Sequence, residues 1–182
     1  MKIAFINGKG GAGKTTASVM VCLALREAGH DASIDDRDPQ RTASLWLSKF
    51  PEMLNPKSSI QIIDTAPRLD SSQVAATMKE ADKIVVPCRP SPVDLWTTQD
   101  TVKLLNKLQC LHKTRLLFNQ VRPGTILSRD LTDTAQTIGL KPFKTNLSLR
   151  ESYQHAVLSG WQSLDRSARE EITQLTLSIV AQ

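Results

Sequence analysis

The chain has 182 residues, 40% of them hydrophobic and 23% charged, and a formal net charge of +5 at pH 7. This length and composition predict one globular domain with a buried core and exclude a disordered chain. No apolar run approaches the roughly 18 residues of a membrane span, and the N-terminus lacks the apolar core of a signal peptide. Three scattered cysteines, Cys22, Cys88 and Cys110, give neither a disulfide framework nor a metal-ligand spacing, so we expect reduced thiols in a cytoplasmic protein.

Short apolar runs alternate with longer segments of helical spacing along the chain. The runs predict strands over 2–7, 31–36, 60–64, 83–87 and 114–119. The segments between them predict helices over 14–28, 41–50, 71–80, 93–111 and 126–138, and a terminal helix over 165–181 follows with Asp165 as its N-cap. This order predicts right-handed βαβ units, hence an α/β fold with a parallel sheet and helices on both faces. We expect residues 1–182 to form a single domain.

The segment from Gly8 to Thr15 follows the first predicted strand and matches the phosphate-binding pattern G-x-x-x-x-G-K-[ST]. In such a loop (P-loop) backbone N–H groups surround phosphate oxygens at the positive end of a helix. Lys14 is then expected on the β- and γ-phosphates, Thr15 on Mg²⁺ and Thr16 on the α-phosphate of ATP. The residues expected to bind through their backbone are Gly10, Gly11, Ala12 and Gly13.

Two aspartates follow predicted strands. Asp64 ends the third strand and is a candidate for Mg²⁺, held through water, although a helix cap or turn is the alternative. Asp38 follows the second strand and is a candidate for positioning or deprotonating the water that attacks the γ-phosphate. Its alternative, an Asp-Pro turn before the next helix, is compatible with that role.

A second lysine, Lys9, stands inside the loop, where its side chain cannot easily reach the phosphates held by Lys14. Two interpretations remain open from the residues alone. Lys9 is either a solvated lysine or a cation that reaches the phosphates bound by a second copy of the chain.

The segment "KGGAGKTT" (9–16) resembles the deviant Walker A box of the ParA/MinD ATPases, in which the extra lysine is the hallmark. "DRDPQ" (36–40) is similar to the family's switch I, and "IIDTAP" (62–67) to its Walker B and switch II. Three further segments resemble small ParA-type plasmid partition proteins: "VPCRPSPVDLW" (86–96), "FNQVRP" (118–123) and "LRESYQHAVLSG" (149–160).

The resemblance implies a homodimer that sandwiches two ATP molecules, with Lys9 reaching the partner's phosphates. It also implies that Asp38 is the catalytic switch I aspartate and that Asp64 is the Walker B aspartate. Asn119, and Pro87 with the loop that follows it, would lie near the adenine. The implied function is a slow ATPase that partitions plasmid or chromosomal DNA. Its ATP-bound dimer would bind nonspecific double-stranded DNA on the nucleoid and would be released when a ParB-type partner stimulates hydrolysis.

The charge distribution agrees with a DNA-binding surface. Residues 103–150 include nine basic and two acidic side chains, so this stretch carries +7 and the rest of the chain −2. A solvated basic surface is the alternative. The candidates for contacts with DNA are Lys141, Lys144 and Arg150.

The residues speak against several related functions. The chain begins at its first strand, so no N-terminal helix-turn-helix domain is expected, and the terminal helix lacks the basic amphipathic face of a MinD-like membrane anchor. No cysteine pair suits an iron–sulfur relative. Three alternatives remain: an ATPase that positions a protein cargo, a dethiobiotin-synthetase-like ligase, and a module that binds ATP as a ligand switch without turnover.

Overall fold

A computed structural model describes all residues, 1–182. Its centre is a five-stranded parallel sheet in the order β2-β3-β1-β4-β5. The strands are β1 (Lys2–Phe5), β2 (Ala32–Arg37), β3 (Ile60–Thr65), β4 (Lys83–Cys88) and β5 (Thr114–Phe118). The expected parallel α/β fold is confirmed, and all five predicted strands are present within two residues of their expected ends.

Eight α-helices connect and cover the strands. They are α1 (Lys14–Glu27), α2 (Thr42–Trp46), α3 (Ser72–Glu80), α4 (Pro92–Lys107), α5 (Ile126–Arg129), α6 (Leu131–Ile138), α7 (Glu151–Ser159) and α8 (Arg166–Val180). None of them is long and apolar enough to cross a membrane.

Both faces of the sheet are buried because successive side chains of a strand point in opposite directions. In β1, Ile3 and Phe5 join the cluster of 28 buried residues that lies under α1, α7 and α8, whereas Ala4 joins a second cluster of 17 buried residues. The second cluster includes Val74 of α3 and Leu105 of α4. The near-continuous apolar strands of the sequence follow from this burial on two sides.

Four helices differ from the prediction, and the smallest difference is that α4 ends at Lys107 instead of residue 111. The expected helix 41–50 is only α2 followed by two 3₁₀ turns, since Arg41 takes a left-handed backbone (φ 54°) and Pro51 prevents continuation. The expected helix 126–138 divides at Asp130 into α5 and α6. Helix α7 was not predicted, because its nine residues are too few to establish a helical period before Gly160 ends it with φ 78°.

Candidate functional site

The P-loop joins the end of β1 to the start of α1 at the carboxyl edge of the sheet. Gly11 and Gly13 both have left-handed backbones, with φ 75° and 84°. Gly13 occupies the N-cap of α1, where no side chain accepts from the first N–H groups of the helix. Those donors are therefore available to an anion, as a phosphate-binding loop requires.

Lys14 is directed into the loop rather than into solvent. The residue is 6% exposed, and Nζ donates to the carbonyl of Lys9 at 3.3 Å. Burial lowers the pKa of Lys14, and the negative charges of Asp64 and Asp38 partly oppose that shift. A buried cation with this single neutral acceptor is suited to an anionic ligand.

Asp64 and Thr15 form the second part of the site. The Thr15 hydroxyl donates to Oδ2 of Asp64 at 2.6 Å, and the other carboxylate oxygen, Oδ1, is buried without any hydrogen-bond partner. Burial raises the pKa of Asp64 to about 7, although the hydrogen bond from Thr15 lowers it. A hydroxyl beside a carboxylate with a free buried oxygen is the oxygen-donor set that suits Mg²⁺, so these residues fit the expected ion.

Asp38 lies on the loop after β2, and the carboxylate of Asp36 holds that loop. Oδ1 of Asp36 accepts from the backbone N–H of Asp38 at 3.1 Å, while Oδ2 accepts from the N–H and hydroxyl of Ser44 at 2.8 and 2.7 Å. Oδ1 of Asp38 accepts from the N–H of Gln40 at 2.9 Å. Asp38 therefore forms the Asp-Pro turn that was the alternative interpretation of this residue. Its carboxylate also lies close enough to Lys14 to influence the pKa of that lysine. Asp36, which holds it, was not predicted as a site residue.

Asn119 contacts the P-loop itself. Its Nδ2 donates to the carbonyl of Ala12 at 2.9 Å and its Oδ1 accepts from the N–H of Gln120, so both ends of the amide are already used. Gln120, with a left-handed backbone (φ 55°), donates from Nε2 to the carbonyl of Gly11 at 3.5 Å. In this structure Asn119 and Gln120, which follow β5, hold the P-loop through the carbonyls of Ala12 and Gly11.

Pro87 is buried within β4, and its carbonyl accepts from Nδ2 of Asn7 at 2.7 Å. The Oδ1 of Asn7 accepts from the N–H of Lys9 at 3.1 Å, so Asn7 links β4 to the P-loop. The sequence signal for Asn7 was its position as the last residue of the first predicted strand, directly before Gly8. The loop after Pro87, rather than Pro87 itself, is what this segment offers to a ligand.

That loop borders an open cleft of about 420 Å³, and Gln120, which lines the cleft, also contacts Gly11 of the P-loop. Its walls come from the ends of β4 and β5 and from the segment before α7, and they include Arg89, Gln120, Arg122 and Leu149. The guanidinium of Arg89 makes two hydrogen bonds to the buried carboxylate of Asp94, at 3.0 and 3.1 Å. The cleft has room for a small organic group next to the phosphate-binding loop.

The remaining basic candidates have different surroundings. Lys9 is half-buried and takes part in no salt bridge. Lys141 and Lys144 are exposed. Arg150 is half-buried and pairs with Glu171 at 2.7 Å and with Asp165 at 3.6 Å, so its charge is neutralised within the fold. Arg150 is therefore a poorer candidate for DNA than the two lysines.

The family model of the CobQ/CobB/MinD/ParA nucleotide-binding domain matches residues 3–161, which include the P-loop, both aspartates and Asn119. The chain belongs to this family. The resemblance drawn from the P-loop and the two aspartate motifs is thereby confirmed, and nucleotide binding is the property that the family's description gives.

Two relatives match over almost their whole length. The chain is 27% identical over 207 aligned residues to the maintenance of carboxysome distribution protein A (McdA) of Halothiobacillus neapolitanus, covering 98% of this chain and 95% of the relative. It is 30% identical over 190 aligned residues to the protein of that name from Gloeobacter kilaueensis, covering 92% and 87%.

The fold of this family member also agrees with a solved structure. An ATP complex of a Cyanothece McdA variant superposes with a TM-score of 0.77 at 15% identity, covering 99% of this chain and 96% of that chain. At this identity the similarity concerns the fold alone.

Proposed function

We propose that this protein is an ATPase that positions a protein cargo, using a nucleotide-dependent dimer that binds nonspecific DNA. The observation that carries the proposal is the near full-length similarity to two proteins named for carboxysome distribution. The expectation of plasmid or chromosome partition, drawn from the same family resemblance, becomes the second candidate. Both functions share one nucleotide cycle and differ in cargo.

The phosphates of ATP would bind at the N-terminus of α1. The uncapped N–H groups after Gly13 and the buried amine of Lys14 provide the positive charge that they need. Thr15 and Asp64 would hold Mg²⁺, and when bound the ion neutralises part of the phosphate charge. The base and ribose would then extend toward the cleft beside the loop.

Hydrolysis would depend on Asp38. Its carboxylate stands on the loop next to the phosphate site, where it would orient a water molecule toward the γ-phosphate and accept its proton. Asp36 keeps the loop in place through the N–H of Asp38. Removal of the γ-phosphate would end the contacts that hold the dimer together.

Lys9 would supply those contacts from the facing copy of the chain. Its side chain has no ion pair in the single chain, so its charge is free for the partner's nucleotide. Dimerisation would also double the number of cations that face DNA, and DNA affinity rises steeply with the number of neutralised phosphates. A partner protein on the cargo would stimulate hydrolysis and release the dimer.

The first test is binding to nonspecific double-stranded DNA with ATP and with ADP, measured over a salt series for the wild-type chain and for Lys9→Ala. We expect ATP-dependent binding that weakens steeply with salt, and its loss in Lys9→Ala although that variant still binds ATP. DNA binding that is equal with both nucleotides, or absent with both, would contradict the proposed cycle.

The cargo is tested in the organism that carries the gene. Deletion should cluster a protein assembly that is otherwise evenly distributed, while plasmid retention stays unchanged. If deletion instead raises plasmid loss and no protein assembly is displaced, the partition function is the correct one.

A further inference from the structure

Arg37 directly precedes Asp38, and its guanidinium is directed toward α3. Arg37 is the last residue of β2 and pairs in register with Thr65, the residue after Asp64. Its side chain is 19% exposed. An arginine next to a candidate catalytic aspartate has two possible uses, as a cation for the phosphates or as a support for the loop.

The contacts of Arg37 decide between these uses. Nε and Nη2 bind the carboxylate of Asp35 at 2.8 and 2.7 Å. Nη1 donates to the hydroxyl of Thr77 at 2.8 Å and to the carboxylate of Glu80. Two carboxylates and a hydroxyl engage the guanidinium of Arg37, so in this arrangement its hydrogen-bond donors are committed within the fold rather than to a phosphate.

The two acceptors on α3 are themselves fixed. The Thr77 hydroxyl is buried and donates to the carbonyl of Gln73 at 2.9 Å. Glu80 also accepts from Nζ of Lys2, at the start of β1, at 2.6 Å. The residue that precedes Asp38 is therefore tied to a helix that is anchored to the central strand.

Helix α3 leads back to the nucleotide site through residues 66–71, which follow Asp64 and Thr65. Within this segment Leu69 packs so closely on Gly8 of the P-loop that a Cβ on Gly8 would stand 2.8 Å from Leu69 Cγ. A shift of α3 would therefore be felt by the Asp38 loop, by the segment after Asp64 and by the P-loop together.

We propose that Arg37 is a positioning residue for ATP hydrolysis: its bridge to Thr77 and Glu80 holds the Asp38 loop against α3, so that Asp38 and the Asp64 segment keep one geometry. The inference rests on the proposed ATPase function. Arg37 touches no reacting atom in this assignment and acts only through the position of Asp38.

The test compares Arg37→Gln, Glu80→Gln and Thr77→Val with the wild-type chain in steady-state phosphate release at saturating ATP, in ATP affinity and in thermal unfolding. Misplacement of a catalytic group by a fraction of an ångström to one ångström lowers a rate by about 10- to 100-fold. We expect Arg37→Gln to lower kcat by at least about tenfold while ATP affinity stays within about twofold. Arg37→Lys should recover part of the rate, because it keeps the charge and at least one donor.

Glu80→Gln and Thr77→Val test the bridge from its other end and serve if Arg37→Gln does not fold. Each should lower kcat in the same direction, and Arg37→Gln combined with Glu80→Gln should be no slower than Arg37→Gln alone. The matched control is Arg166→Gln, which removes an Arg–Glu pair on the surface of α8, where Arg166 bonds Glu170 at 2.8 Å. We expect no change of rate in that control.

Two results would overturn the inference: a wild-type kcat in folded Arg37→Gln or Glu80→Gln, or a loss of rate that only follows a loss of ATP affinity. Failure of the proposed function has a different signature. In that case the wild-type chain itself would release no phosphate from ATP, or Asp38→Ala would release it at the wild-type rate.

Discussion

Two charged side chains of the candidate site are buried without a full set of hydrogen-bond partners. Lys14 is buried with only the carbonyl of Lys9 as acceptor, and Asp64 is buried with one oxygen unpaired. Burial of a charged group without its partners is unfavourable, so such groups are rare in a core that serves stability alone. Phosphate and Mg²⁺ are the ligands that would complete both.

Gly13 is the residue at which the loop tolerates least change. Gly13→Ala would place a Cβ 2.0 Å from Nδ2 of Asn119 and would keep a left-handed backbone, which by itself is unfavourable by about 1–2 kcal/mol for other residues. We expect a loss of ATP affinity larger than in Gly11→Ala, which has the strained φ of 75° but no atom within 4 Å. Isothermal titration with ATP measures both.

The control is Gly10→Ala, because a Cβ on Gly10 would meet no atom within 4 Å and the backbone of Gly10 is not left-handed. Its ATP affinity should stay near that of the wild-type chain. Equal losses in all three variants would show that the loop responds to any side chain rather than to the contact between Gly13 and Asn119.

Among the elements, α8 shows how a single cap secures a helix predicted from its sequence pattern. The carboxylate of Asp165 accepts from the N–H of Ala168 at 2.9 Å and from the hydroxyl of Ser152 in α7 at 2.8 Å. The cap therefore fixes the start of α8 and joins it to the helix that precedes it. Ile172, Leu175 and Ile179 of α8 are then buried in the larger apolar cluster, where α8 packs on α1.

Asp165→Ala should lower the free energy of unfolding by about 1 kcal/mol at pH 7. Hydrogen bonds from Ala168 and Ser152 lower the pKa of Asp165 in the folded state, so its contribution is present above the ordinary aspartate pKa and is lost as pH falls through the folded value. Urea unfolding of the variant and the wild-type chain should therefore give free energies of unfolding whose difference shrinks as the pH is lowered from 7 to acid values.

Ser71→Ala is the matched control, because the Ser71 hydroxyl caps α3 by accepting from the N–H of Gln73 and does not titrate. Its destabilisation should stay constant over the same pH range. A difference for Asp165→Ala that does not change with pH would show that the carboxylate's charge is not what stabilises the helix.

Over the whole molecule, basic residues are concentrated in one part of the chain while the acidic groups of the site stand in another. The +7 stretch over residues 103–150 includes β5 and helices α5 and α6. Its charge is not all available, since Arg150 is paired with Glu171 and Asp165. Composition alone places Lys141, Lys144 and Arg150 in one basic stretch. Their exposure distinguishes the two exposed lysines, which can contact DNA, from the half-buried Arg150.

Charge reversal tests this separation. The double variant Lys141→Glu, Lys144→Glu should weaken ATP-dependent binding to all DNA sequences alike and reduce the salt slope by about 2 for each chain, hence about 4 for the dimer, one for each lost phosphate contact. Lys49→Glu combined with Lys57→Glu changes the net charge equally at exposed lysines outside the basic stretch. Equal effects of the two double variants on the salt series would assign DNA binding to net charge rather than to this surface.

The sequence by itself determined the five strands and their parallel direction, the P-loop, and the positions of Asp38 and Asp64 after the second strand and at the end of the third. These features depend on local physics: apolar runs form doubly buried strands, glycines permit the turn of the loop, and polar residues stand where parallel strands end. The spacing from Gly8 to Thr15 needed no tertiary information, because the loop and the start of α1 are adjacent in the chain.

Only the tertiary structure decided which side chains from distant parts of the sequence contact one another around these features. It brought Asn119 onto the carbonyl of Ala12, Arg37 onto Thr77 and Glu80, and Arg150 onto Glu171. These partners are separated by 21 to 107 residues, so no local period or motif records them. Whether a charge is neutralised or left for a ligand depends on such long-range contacts, which exist only once the helices have packed on both faces of the sheet.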